Sequence, residues 1–196
     1  MFARRLPAPE TLRIRLAAAQ AAPFSYPMPG CTQQPARYPG YDTDAARTWL
    51  GTGPEVYAAA CAALRAWQMF PAGWTCILPA DAPIRPGTPL TMNARFLGLW
   101  WHNSCRIVYV IDEPGRFGFA YGTLPAHMER GEELFLITRD ADGGVWYEIR
   151  AVSRPQRLIA RLAYPLMRLL QARFRQDSAR QMRAAAAAHP EPALHG

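Results

Sequence analysis

FGFAYGTLPAHMERGEELF, residues Phe117–Phe135, is the stretch on which the reading of the chain turns. Its first third alternates, with Phe117, Phe119 and Tyr121 on one side of an extended backbone and Gly118 and Gly122 on the other. Pro125 and Gly131 then mark a turn, and Glu132 opens a second apolar run that ends at Arg139. Strand, short polar turn and strand predict a neighbouring antiparallel pair.

The same period of two extends in both directions. Strands are predicted at Trp74–Leu78, Pro89–Leu97, Trp100–Ile111, Arg116–Leu124, Glu132–Arg139 and Gly144–Ser153, with a short one at RTWLG (47–51). Arg-Pro-Gly at 85–87, Asp-Glu-Pro-Gly at 112–115 and Ala-Asp-Gly-Gly at 141–144 supply hairpin chemistry between them. In the last strand Val145, Tyr147, Ile149 and Ala151 share one face, and Trp146, Glu148 and Arg150 the other. One face of the sheet is therefore expected to be dry and the other wet.

Helical spacing appears at three places. Residues 8–20 form a short amphipathic helix with Leu12 and Leu16 four apart. Residues 53–70 begin with Pro54 and Glu55, suited to a helix N-terminus, and Val56, Ala60, Leu64 and Trp67 make the buried stripe. Residues 156–188 form a long helix divided by Pro165. There Leu158, Leu162, Leu166, Leu169 and Leu170 define the expected buried stripe, with Arg157, Arg161, Arg168 and Arg175 on the solvent side. The proline-rich segment 23–42 reads as an ordered strap, and HPEPALHG (189–196) as a flexible, frayed tail.

This order predicts an α+β helix-grip fold: a curved antiparallel sheet of about six to seven strands wrapped around the long C-terminal helix. Residues 1–23 are expected to form a helical extension and 24–188 a single domain. Folds of this shape leave a cavity between sheet and helix, which is the default place for a small, largely apolar ligand. The expected ligand-binding residues are Trp100, Tyr109, Phe119, Tyr121 and Tyr147 on the strands, together with Arg106 and Arg154.

Several stretches resemble the domain-of-unknown-function family nineteen-ninety. They are FSYPMPGCT (24–32), the WLGTGPEVYAAACAAL run (49–64), NSCRIVYVIDE (103–113), FAYGTLPAHMERGEELF (119–135), YEIRAVSRP (147–155) and RLAYPLMRLLQARFRQDSARQM (161–182). Ala126 departs from the family pattern, where a Gly precedes the His. The family is similar to the START-like helix-grip superfamily, which implies an interior cavity for an apolar ligand; it brings no established activity.

The reactive groups of residues 117–135 raise a catalytic alternative. His127 would be the general base, Glu132 or Glu133 would orient it, and the Tyr121 hydroxyl would assist. Against this, Pro125 and Gly131 place His127 in a turn, and alternation sends Glu132 and Glu133 to opposite faces. A glutamate entering the cavity mouth would need a partner, for which Arg106 and Arg154 are the candidates. There is no Gly-x-Ser-x-Gly turn and no His-Glu-x-x-His pair. The sequence thus favours ligand binding over catalysis, with no cofactor and no metal.

Composition sets the outer bounds. The chain has 196 residues, half of them hydrophobic, and a net charge of +7 carried by 22 arginines and no lysine. The Arg stripe admits a third reading, an adaptor for RNA or an anionic membrane, but no stacking aromatics or RNA-binding motif accompany it. Cys31, Cys61, Cys76 and Cys105 form no C-x-x-C pair and read as reduced thiols. Arg13 and Arg15 interrupt the only apolar N-terminal segment, so a soluble, cytoplasmic protein is expected.

Overall fold

The structure, a computed structural model, describes residues 2–34 and 36–188. The chain runs β1 (Phe2–Ala3), α1 (Pro9–Ala21), β2 (Asp42–Thr52), α2 (Pro54–Arg65), β3 (Thr75–Leu78), β4 (Pro89–Phe96), β5 (Leu99–Glu113) and β6 (Arg116–Thr123). It continues with β7 (Glu129–Arg139), β8 (Gly144–Pro155), α3 (Leu158–Leu162) and α4 (Tyr164–Ala187). The main strands lie in the order β2-β8-β7-β6-β5-β4-β3, every neighbour antiparallel, and β1 pairs with β5. This is the α+β helix-grip arrangement, a curved antiparallel sheet closed on its concave side by the C-terminal helix. The predicted tail, residues 189–196, lies outside the described residues.

Period-two alternation directs Phe117, Phe119 and Tyr121 of β6, Phe135 and Ile137 of β7, and Val145, Tyr147 and Ile149 of β8 to the concave side. Helix α2 meets them with Ala60 and Leu64, and Trp67 and Phe70 follow directly after it. The Trp67 and Phe119 rings cross edge to face at 4.9 Å, and Phe70 packs against Tyr121, Phe135 and Phe174. Apart from its half-buried first member, Val56, the α2 stripe is buried as its spacing predicts.

Helix α4 corrects the sequence reading. Leu158, Leu162 and Leu169 are 69%, 77% and 67% exposed, whereas Met167, Ser178, Met182 and Ala186 are buried. Half of the supposed solvent face is turned to the protein: Arg168 makes a bidentate contact with Asp44 of β2 at 2.6 and 2.8 Å, and Arg175 stands 3.6 Å from the same carboxylate. The cause is the break at Ala163–Pro165, which separates α3 from α4 and changes the phase between them. A stripe read across that break joins residues that do not share a face. Asp44 also shows that β2 begins at Asp42, five residues before the predicted 47–51; its first half is a polar edge strand paired to β8 alone.

Glu129, Arg130 and Gly131, predicted as turn, belong to β7. Gly131 has φ +148°, and a Cβ there would collide with the Val152 carbonyl of β8, so glycine lets the two backbones close up. The punctuation was real; its meaning was a tight strand pair.

The convex side is not wet throughout. Residues 24–34 and 36–41 cross it as a strap, packing Tyr26 and Cys31 on Val152. The strap is pinned by Glu132, whose side chain alternation sends outward. Its Oε2 accepts from Tyr26 Oη–H at 2.6 Å and the Gly30 N–H at 2.7 Å; its Oε1 accepts from the Thr32 N–H at 3.0 Å and Thr32 Oγ1–H at 2.5 Å. Gly122 leaves room on this face for the Phe24 and Tyr26 rings.

Removing the Glu132 carboxylate strands four donors, two of them backbone, and each buried orphan costs about 1–3 kcal/mol. Glu132→Ala is therefore expected to lower urea-unfolding stability by about 3 kcal/mol or more and to speed trypsin cleavage at the exposed Arg37 by loosening the strap. Unchanged stability together with unchanged cleavage would contradict the anchoring role.

Candidate functional site

Below the aromatic core the concave side does not close completely. Two adjoining chambers of about 90 and 60 Å³ lie between the sheet and α4 and share Met92, Tyr121, His127, Glu129 and Glu133. The larger one is apolar, walled by Phe70, Trp74, Trp101, Met167, Leu170 and Phe174. The smaller is polar, with Thr123, Ser153 and Gln171. Apolar and hydrogen-bonding surface thus meet across one set of side chains.

Strand pairing assembles that set. Tyr121 of β6 stands directly opposite Glu133 of β7, and its Oη–H donates to Glu133 Oε2 at 2.5 Å. Two residues earlier on the same face, Glu129 Oε1 accepts from Gln171 Nε2–H of α4 at 2.7 Å. The Leu124–Met128 turn folds back so that His127 Nδ1 accepts the Glu129 N–H at 2.9 Å. A neutral imidazole with Nδ1 accepting carries its proton on Nε2, which makes the ring a donor.

Burial governs the protonation of these groups. Loss of hydration pushes Glu129 and Glu133 up to about 7, only partly offset by the hydrogen bonds from Gln171 and Tyr121. The same cause pushes His127 down to about 3, so the imidazole is neutral at pH 7. Burial, reinforced by the Glu133 carboxylate, also holds the Tyr121 hydroxyl well above its ordinary range. The arrangement supplies hydroxyl and imidazole donors beside two carboxyl groups that gain or lose a proton near neutrality, in a water-poor space. Among the described residues no group of three or more His, Cys, Asp or Glu side chains converges as a metal site.

Of the residues singled out in the sequence, Tyr121 and His127 line the chambers. Phe119 and Tyr147 do face the concave side but are sealed in the core, Phe119 against Trp67 and Tyr147 through its hydroxyl, 2.8 Å from Ser178 Oγ. Their expected place on a pocket wall is corrected: α2 and α4 fill the space over them.

Four others lie on the convex side. The phase of β5 turns Trp101 and Asn103 to the chamber, so the expectation for Trp100 is one position out of register. A bulge between Ile107 and Tyr109 then inverts the phase, setting Tyr109 opposite Ala120 with its hydroxyl 2.8 Å from Thr32 Oγ1. Arg106 donates to the carbonyls of Ala19, Gln20 and Ala22 at 3.3, 2.8 and 2.9 Å, closing the C-terminal end of α1, and its guanidinium lies over Phe24. Arg154 lies over Tyr41 at 4.7 Å. Neither arginine is the carboxylate partner proposed for them, because Glu132 is held by the strap and Glu133 by Tyr121.

The sequence reading named Glu133 only as an alternative to Glu132, and gave no role to Glu129, Trp101 or Gln171. Which glutamate turns inward follows from the β6–β7 register, which sets Tyr121 opposite Glu133 and Gly122 opposite Glu132. Gln171 was out of reach, because its position depends on the phase of α4.

Solved structures show the same architecture. A hypothetical protein of Helicobacter pylori superposes with a TM-score of 0.56 at 9% identity, covering 78% of this chain and 96% of that one. The di-domain ARO/CYC protein StfQ from the steffimycin biosynthetic pathway superposes with a TM-score of 0.51 at 11% identity, covering 74% of this chain and 50% of that one. In sequence, the chain is 37% identical over 158 residues to a UPF0548 protein of Dictyostelium discoideum, covering 74% of this chain and 73% of the relative. It is 38% identical over 148 residues to a UPF0548 protein of Deinococcus radiodurans, covering 69% and 74%. Residues 25–181 match the domain of unknown function DUF1990, and the chain belongs to that family.

Proposed function

We propose that this domain binds a small molecule with a compact apolar body and a hydrogen-bonding head, seated in the joined chambers between sheet and α4. The observation that carries this reading is the meeting of an apolar chamber with Tyr121, His127, Glu129 and Glu133 at one boundary. Buried carboxyl groups beside hydrophobic walls disfavour folding unless they serve a partner. A head group with donors, an amine or hydroxyl, suits Glu129 and Glu133, while the body lies along Trp101, Met167 and Phe174. The chambers are small against the ~300–1,000 Å³ of drug-sized ligand sites. The ligand is accordingly small, or it displaces the flexible Met167 and Met92 side chains, which adapt readily to guests.

A second reading rests on Glu133 itself. A carboxyl near 7 in hydrogen-bond contact with a tyrosine fits general acid–base work at neutral pH. In that reading Glu133, one of the two glutamates expected to orient His127, takes the general-base role first given to His127.

Native mass spectrometry of the purified protein separates the possibilities. Wild type is expected to retain a small-molecule adduct that Met167→Trp and Glu133→Gln lose, while both variants stay folded by circular dichroism. No adduct in wild type, even after soaking with small apolar amines and alcohols, would remove the binding reading. Conversion of the released molecule by fresh wild type but not by Glu133→Gln would establish the catalytic one.

The protonation states give a test that needs no ligand. Glu129 and Glu133 titrate higher in the folded chain than the ordinary 4.5, so their contribution is complete below about 4.5 and is lost as pH rises through about 7. His127, depressed from 6.5 to about 3, acts oppositely and contributes fully only above about 6.5. Between pH 6.5 and about 8 the carboxyl groups therefore dominate, and melting temperature should fall as pH rises. The Glu129→Gln/Glu133→Gln double variant should lose most of that slope; an identical slope would show that these groups are not buried as described.

A further inference from the structure

We propose that a second site, on the opposite side of the sheet from the chambers, binds the phosphoryl group of a small phosphate monoester. It is an open cleft of about 750 Å³ where the end of the strap, β7, β8 and the start of the helical segment meet. Three arginines line it: Arg130, Arg154 and Arg161.

Among the described residues, none of the three has a counter-charge that explains its placement; Arg154 lies over the Tyr41 ring, which neutralises no charge. Arg130 and Arg154 are direct partners across the β7–β8 ladder, so two like charges face each other on one side of the sheet. Such a pairing is unfavourable unless something of opposite charge joins it. Among the described residues no carboxylate lies within ion-pair distance of Arg130, Arg154 or Arg161. The one acid in the lining, Asp42, accepts a hydrogen bond from Tyr164 Oη–H at 2.8 Å. The contrast with Asp44, which holds both Arg168 and Arg175, shows how this chain neutralises arginines it keeps for structure.

The polar atoms point the same way. Tyr41 Oη, Arg130 Nε and Gln156 Oε1 are buried and have no hydrogen-bond partner among the described residues, and all three residues line this cleft. Buried polar atoms are almost always paired, and three orphans lining one cleft favour a hydrogen-bonding guest there. Two are donors, suited to anionic oxygens. The third is an acceptor with fixed orientation, because Gln156 Nε2–H is committed to the Pro125 carbonyl at 2.7 Å. A guest must therefore present acceptor oxygens and one hydroxyl. A phosphate monoester offers these in two forms: the monoanion keeps one P–OH for Gln156 Oε1, and the dianion, which predominates near pH 7 because the second ionisation lies at about 6, offers only anionic oxygens to the donors. A carboxylate or a phosphodiester brings one charge and no hydroxyl. Guanidinium groups take phosphate oxygens in bidentate fashion, which makes Arg130 and Arg154 the clamp and Arg161 the exposed third contact.

The test is thermal unfolding and titration calorimetry with inorganic phosphate and glycerol phosphate, against sodium acetate and sodium chloride at matched ionic strength. Saturable stabilisation by the two phosphates is expected. Arg154→Gln and the exposed Arg161→Gln should each weaken phosphate binding by about tenfold or more, as for loss of a charge-assisted hydrogen bond. Without phosphate, Arg154→Gln should be at least as stable as wild type, because it relieves the facing charges. Equal stabilisation by acetate or chloride, or full phosphate binding in both variants, would overturn the proposal. The outcome is independent of the chambers, since Glu133→Gln should leave phosphate binding unchanged.

Discussion

The carboxylate of Glu132 accepts four hydrogen bonds from one short stretch of chain, and the two sides of the sheet are organised around it. A strand of seven residues or more could slip in register, and a slip of one would exchange its faces. Here slippage would bury Glu133 under the strap and aim Glu132 into the aromatic core, where neither has partners. Tying Glu132 to Tyr26, Gly30 and Thr32 on one side, and Glu133 to Tyr121 on the other, fixes the register of β7 between its neighbours. The strap in turn covers hydrophobic surface at Val152 and Cys31 that an uncovered sheet would leave in water.

From that register follows the character of the concave side. Near Phe119 and Phe135 the space is occupied by Trp67, Phe70 and α4, and the core is dry. Toward Glu129 the packing loosens into the chambers, and Glu129 and Glu133 are pushed up to about 7 because they have lost water without gaining a full counter-charge. Such sites disfavour folding, and the tightly packed end of the same sheet offsets them. The buried carboxyl groups at one end thus depend on complete packing at the other.

The arginines divide into distinct populations. Arg106 closes the C-terminal end of α1, and Arg168 and Arg175 fasten α4 to the edge strand through Asp44. These bonds hold the peripheral elements against the sheet, which itself has few polar groups to offer. Arg130, Arg154 and Arg161 gather around a cleft where, among the described residues, no carboxylate stands within ion-pair distance of them. A basic composition alone could not distinguish these groups, because charge counts carry no information about partners.

No helix among the described residues is long and apolar enough to cross a membrane. Much of the architecture was legible without coordinates. Period-two runs with hairpin turns identified β3 through β8, and the α2 spacing identified its buried face, because both are local consequences of backbone geometry. The polar edge strand at 42–46 left no such pattern. Trp100, Tyr109 and the leucines of the C-terminal segment went to the wrong faces for a common reason: a one-residue offset, a bulge and a proline break each reset the phase. The sequence by itself determined β3 through β8, the helices and the presence of a covered concave face. Only the tertiary structure decided that Glu133 and not Glu132 turns inward, that α2 fills the upper cavity, and that Arg130 faces Arg154. Those outcomes rest on pairings between segments distant in the chain, where register is set by the best joint packing and no single segment specifies it.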